Sequence, residues 1–169
     1  MPDKFAQLKP AFAKNGTIIT AANSSKINDG ACSIVLMAEE TAKERGLKPF
    51  ARILGLRTQQ LPLWTSASLL LKLLLKCYRE RTIKDINYHE INETFVAVVL
   101  ANMKLLDIDP ERVNVYGGAV ALGHPVGSSG ARIILTLLNV LRNKNGSNGI
   151  ASICNGGGGA SSIMIERLN

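Results

Sequence analysis

Apolar positions recur at helical spacing along the chain. From Ser128 to Arg142, Ile133, Ile134, Leu137, Leu138 and Leu141 fall on one side, and the spacing predicts a helix with a single buried face. Thr94 to Asp107 shows the same period through Phe95, Val98, Val99, Asn102, Leu105 and Leu106. Ser68 to Arg81 predicts a third helix, apolar except for a stripe of Lys72, Lys76 and Arg79, and Glu39 to Arg45 a short polar one ended by Gly46. Short apolar or alternating runs predict strands at Phe50 to Arg57, Ile86 to Ile91, Ile150 to Cys154 and Ser161 to Glu166, the last two joined by NGGGG. Ala31 to Met37 (ACSIVLM) predicts a further strand, fully buried. Thr17 to Thr20 has β character, Val113 to Val115 is a short extended piece after an Asp109-Pro110 turn, and residues 1 to 15 form an irregular lead-in. Strands alternating with helices imply an α/β fold in which helices cover a mixed sheet. No linker or repeat interrupts the pattern, so one domain over 1–169 is expected.

Composition narrows the class. The 169 residues are 46% apolar, which excludes a disordered chain. The nearest candidate for a membrane span, Leu69 to Leu75, is interrupted by Lys72 and closed by Lys76, so no membrane partner is expected. Cys32, Cys77 and Cys154 have no paired spacing, which argues against a disulfide scaffold or zinc knuckle and fits a reducing compartment. The opening MPDKFAQLKPAFAKNG lacks an apolar segment, so no targeting presequence is expected there. The net charge of +7 is uneven: Met1 to Lys84 holds 14 Lys and Arg against 6 Asp and Glu, and the remainder 6 against 7. A basic half suits a polyanionic partner, either nucleic acid or a phosphate-bearing cofactor; alternatively, the cations simply solvate helix faces. Trp64 is the only tryptophan and no aromatic interleaving marks a nucleic-acid platform, so nucleic acid is not an expected partner.

Glycine points to a site. Eleven of the 15 glycines lie at or beyond Gly117, nine of them in GGAVALGHPVGSSG and CNGGGG. Glycine serves where backbone turns sharply or approaches a ligand closely. Cys154 closes an apolar strand before four glycines whose N–H groups could stabilise a thiolate or an oxyanion; otherwise it is a small buried hydrophobe. His124, held between Gly123 and Pro125, suits acid–base work or hydrogen-bond donation, or caps the helix that follows. Asn92 lies between a strand and a helix, where its amide either caps the helix or holds a water or substrate oxygen. His89 reads as structural, and two histidines without a second ligand at helical spacing make a zinc site poor.

Together, ITAANSSKINDGA, NETF, GGAVALGHPVGSSGARI and ASICNGGGGASSIMIE resemble, in order and spacing, the C-terminal half of thiolases. The resemblance runs from about Lys9 to Leu168 and is nearest to acetoacetyl-CoA thiolases (acetyl-CoA C-acetyltransferases) of the mitochondrial type. It implies one half of the layered thiolase fold, acetyl-CoA and acetoacetyl-CoA as substrates, no organic prosthetic group and a mitochondrial location, with the cytoplasm as the alternative. It implies that His124 activates a nucleophilic thiol and polarises the thioester oxygen, and that Cys154 removes the α-proton of acetyl-CoA. Asn92 would hold an oxyanion-hole water, the Gly156 N–H would serve the other oxyanion hole, and Ser25 would contact the pantetheine arm of coenzyme A. A potassium ion would sit near the carbonyls of Ala21, Ala22, Ser24 and Val120.

The family's nucleophilic cysteine belongs to the N-terminal half, and none of the three cysteines takes its place. The resemblance therefore implies a chain with little activity alone, completed by a thiolase N-terminal half or a homo-oligomer. The alternative is a non-catalytic module that binds coenzyme A or associates with a thiolase. Three positions depart from the family's pattern: Lys26 beside the pantetheine contact, LPLWTSASLLL before the lysine-bearing helix, and Thr94 where alanine is typical.

Overall fold

The computed structural model describes residues 2–12, 18–60 and 82–168. The helix expected over Ser68 to Arg81, with Trp64, Cys77 and the lysine stripe, lies outside the described residues. In chain order the main elements are α1 (Glu39–Glu44), β1 (Ala51–Gln60), β2 (Tyr88–Ile91), α2 (Val96–Leu106), α3 (Ala119–Leu122), α4 (Ser129–Asn143), β3 (Asn148–Gly156) and β4 (Gly159–Arg167).

The strands form one mixed sheet in the order β1-β4-β3-β2. β4 pairs antiparallel with both β1 and β3, whereas β2 runs parallel to β3. A parallel pair needs a crossover, and α2, α3 and α4 lie within that connection. The two-residue periodicity of the strands then sorts the core into two faces. Ile150 and Met164 pack on one face with Val99 and Leu106 of α2; Ala151 and Ile165 pack on the other with Ile133, Leu137 and Leu141 of α4. This is the α/β arrangement expected, with helices on both sides of the sheet.

The predicted core face of α4 is buried at Ile133, Leu137 and Leu141 and partly buried at Ile134 and Leu138. The β3–β4 hairpin falls where NGGGG predicted it. Gly156, Gly157 and Gly158 all have positive φ (76°, 57° and 84°), a run that only glycine sustains without strain. Strand β1 extends beyond its predicted end, and Gly46 (φ 62°) follows α1 as predicted.

Two expectations are overturned. Ala31 to Met37 forms no strand: Val35 and Leu36 are 80% and 71% exposed, and the segment has no strand pairing among the described residues. An apolar run becomes a buried strand only where a neighbour supplies a hydrogen-bonding edge, and the described sheet does not offer one there. Ile18 to Thr20 likewise forms a turn entry rather than a strand, because the Thr20 N–H donates to Asn23 Oδ1 (2.8 Å). The helix α3 was not anticipated; its four residues sit inside the glycine-rich stretch.

Leu137 is fully buried between α4 and the sheet. Leu137→Ala should cost about 2–5 kcal/mol of unfolding free energy, and the half-buried Leu138→Ala should cost less. Urea denaturation checks both, and equal losses would contradict the packing described.

Candidate active site

Two neighbouring strands deliver the main side chains. Parallel pairing sets Ile91 beside Ser152, and the next step of the ladder is the bond from Asn92 N–H to Ser152 O (2.9 Å). Asn92 is thereby fixed at the end of β2, buried, a short step from Cys154 on β3. The segment 23–27 crosses this end of the sheet. Ser24 bridges Phe95, and Ile27 bridges His124, whose N–H donates to Lys26 O (2.8 Å).

The side chains form one hydrogen-bonded network. Arg132 donates to Asn92 Oδ1 (3.4 Å), and a guanidinium has no acceptor, so the amide nitrogen faces the other way. Asn92 Nδ2 lies 3.3 Å from both His124 Nε2 and Thr94 Oγ1. Thr94 Oγ1 in turn lies 3.3 Å from Cys154 Sγ. On the far side of the imidazole, His124 Nδ1 is 2.6 Å from Ser129 Oγ, whose hydroxyl donates to Pro125 O (3.0 Å). Ser129 therefore accepts from Nδ1–H, and Nε2 carries the lone pair that receives the Asn92 amide. Burial, and then the Arg132 cation, lower the His124 pKa below its ordinary 6.5. A neutral imidazole with an unprotonated Nε2 is a base, and once protonated there it becomes a donor to an oxyanion.

The structure thus brings Asn92, His124 and Cys154 together through Thr94. Ser25 joins them from the crossing segment: its N–H and its hydroxyl both donate to Thr94 O (3.1 Å each). Gly156 lies two residues beyond Cys154, exposed and with a left-handed backbone. Val120 N–H donates to Glu93 Oε2 (3.1 Å), so α3 is tied to the residue after Asn92. Gly118 admits this carboxylate, since a Cβ there would stand 2.1 Å from Glu93 Cδ. Ala21 and Ala22 lie in the turn before Ser24.

Sequence reasoning missed Ser129 and Arg132, which orient the imidazole and the amide. Their only sequence signal was the four- and seven-residue spacing to Pro125 within the helix entry. Glu90 was missed as well: burial pushes its carboxyl up to about 8, with Arg132 opposing and Glu93 adding to the rise. His89, expected to be structural, is buried, and burial followed by Arg112 holds its imidazole down at about 4. No cluster of three His, Cys, Asp or Glu side chains suited to a metal occurs among the described residues, and Cys32 and Cys154 are free thiols.

Comparison with known proteins places this geometry in a family. The model for the thiolase C-terminal domain matches residues 63–167, and that for the thiolase N-terminal domain matches residues 1–40. The chain belongs to the thiolase family, and carries its C-terminal domain together with a piece of the N-terminal one. It is 50% identical to an acetyl-CoA acetyltransferase of Schizosaccharomyces pombe over 98% of this chain and 42% of that protein. A cytosolic acetyl-CoA acetyltransferase of Gibberella zeae (47%; 98% of this chain, 42% of that one) and a mitochondrial one of Xenopus laevis (49%; 98% and 39%) match similarly. The structure superposes on a Bacillus anthracis acetyl-CoA acetyltransferase with a TM-score of 0.93, at 43% identity, over 99% of this chain and 43% of the other. An Ascaris suum thiolase in complex with coenzyme A gives 0.88, at 43% identity, over 99% and 44%. The chain thus spans about two fifths of the length of the relatives it matches.

The buried Glu90 gives a signed pH prediction. In the fold its carboxyl stays neutral up to about pH 8, whereas an exposed one ionises near 4.5. Its contribution is therefore present at low pH and lost as pH rises through that window. His89 works in the opposite direction, losing its contribution as pH falls from 6.5 towards about 4. Unfolding free energies measured across the range should show Glu90→Gln gaining on wild type from about pH 5 to about pH 8. A difference independent of pH would contradict a neutral buried carboxyl.

Proposed function

We propose that this chain supplies the C-terminal side of an acetyl-CoA acetyltransferase site, for acyl transfer between CoA thioesters by Claisen condensation or thiolysis. The observation that supports it most directly is the junction of Asn92, His124 and Cys154 at one end of the sheet, joined at 3.3 Å contacts through Thr94. In this reading the Cys154 thiolate takes a proton from the methyl group of acetyl-CoA. The electron pair left behind delocalises onto the thioester oxygen. His124, protonated by the nucleophilic thiol when that cysteine took its acyl group, and a water held by Asn92 donate to that oxygen, while the Gly156 N–H serves a second oxyanion. The enolate carbon then attacks an acyl group carried on a cysteine, whose thiolate departs as the new carbon–carbon bond forms.

That acyl-carrying cysteine is assigned by resemblance to the N-terminal half, so the 169-residue chain alone should turn over acetoacetyl-CoA slowly. A thiolase N-terminal half that carries this cysteine is the partner this chemistry calls for. Ser25 is the proposed pantetheine contact. Relatives occur in both mitochondrion and cytosol, and the reaction is the same in either.

The chemistry of the loop carbonyls fits a potassium ion. The bonds Ser25 N–H to Thr94 O and Val96 N–H to Asn23 O flank Ser24 and leave its carbonyl outside the bridge. Val120 O is passed over at the end of α3 because His124 N–H turns to Lys26 O. Neutral carbonyl oxygens of Ala21, Ala22, Ser24 and Val120 suit a weakly charged hard cation, not zinc. Bound there, the ion would tie the crossing segment to α3. Melting at matched ionic strength should be a few degrees higher in potassium chloride than in choline chloride; identical curves would contradict the site.

The base can be tested without the missing nucleophile. Acetyl-CoA incubated with the chain in deuterium oxide should gain deuterium on its methyl group faster than in buffer. Cys154→Ala should slow this by roughly a hundredfold or more, and His124→Ala should slow it too. Mass spectrometry reads the label. Coenzyme A binding without exchange would make the chain a non-catalytic binding module instead.

A further inference from the structure

We propose that Thr94 is a positioning residue for the Cys154 sulfur: its hydroxyl donates to Sγ and couples the thiol to the Asn92 amide. The inference rests on the reading of Cys154 as the base, and deepens it. Three contacts support this direction. Arg132 can only donate, so it holds Asn92 Oδ1 and turns Nδ2 towards Thr94. Asn92 Nδ2 donates to Thr94 Oγ1 at 3.3 Å, which occupies the hydroxyl as an acceptor. The single hydroxyl proton remains for another partner, and Cys154 Sγ lies 3.3 Å away; once the sulfur is a thiolate, the hydroxyl is the only one of the two that can donate.

The chain of donors runs from a cation through an amide and a hydroxyl to the sulfur, and each bond polarises the next. A donor aimed at Sγ stabilises negative charge on it more than it stabilises the neutral thiol. Both ends of Thr94 are engaged. Its carbonyl takes two bonds from Ser25, so the residue that steadies the sulfur also anchors the segment that carries the proposed pantetheine contact. An alanine would keep the backbone half of this arrangement and lose the side-chain half.

The test reads the sulfur itself, in the 169-residue chain, with iodoacetamide as probe and mass spectrometry to resolve Cys154 from Cys32 and Cys77. At neutral pH, alkylation of Cys154 should be roughly three- to tenfold slower in Thr94→Ala and Thr94→Val than in wild type. Thr94→Ser, which keeps the hydroxyl, should restore wild-type behaviour, and Cys32 should be unaffected throughout. Unchanged Cys154 rates in Thr94→Ala, failure of Thr94→Ser to rescue, or equal changes at Cys32 would each overturn the proposal. The readout needs no acyl-CoA, so a chain that fails to exchange acetyl-CoA protons can still pass it, and the two readings fail separately.

Discussion

Arg132 donates to the carbonyl oxygen of Asn92, and because a guanidinium cannot accept, the amide has one orientation. That orientation decides the rest of the site. The amide nitrogen meets His124 Nε2 and Thr94 Oγ1, and through Thr94 it reaches Cys154. Ser129 closes the other side of the imidazole and leaves Nε2 as the acceptor. Asn92 is buried, so reversing its amide would leave donors facing donors in a place with little water to compensate. The network holds its groups in place before any ligand arrives, which is what electrostatic stabilisation of a developing charge requires.

The fold makes this possible by an unequal sheet. β2 runs parallel to β3, so the C-terminal ends of two strands lie side by side and present Asn92 and Cys154 together. The antiparallel hairpin of β3 and β4 carries the glycines just past Cys154. Helix α4 is a structural lever in this arrangement. Its buried face locks against the sheet through Leu137 and Leu141, while its first turn supplies Ser129 and Arg132 to the site. Packing energy at one end of the helix thereby steadies hydrogen bonds at the other.

Much of this was legible in the sequence. The periodicity of α4, the β3–β4 hairpin at NGGGG and the strand before Asn92 all follow from local patterns, because each buries an apolar face or needs a positive φ. His124 and Cys154 stood out through the glycine and proline beside them, and Asn92 through its place between a strand and a helix, but only the resemblance to thiolases joined the three. Ala31 to Met37 was misread because composition reports apolar content but not whether a partner edge exists. Arg132 and Ser129 were invisible for a related reason: on a helix their spacing fits a solvated face, and only the tertiary fold brings them against Asn92 and His124. Glu90 sits on a strand beside His89, and its neutral state depends on a burial that sequence does not display.

The orientation of Asn92 and the state of His124 are two views of one arrangement, so the histidine tautomer tests it directly. Nitrogen-15 spectra of the imidazole at neutral pH should show a neutral ring with its proton on Nδ1 and an unprotonated Nε2. A proton resident on Nε2 would contradict the account, since the Asn92 amide could not then donate to it and the direction of the whole network would be reversed.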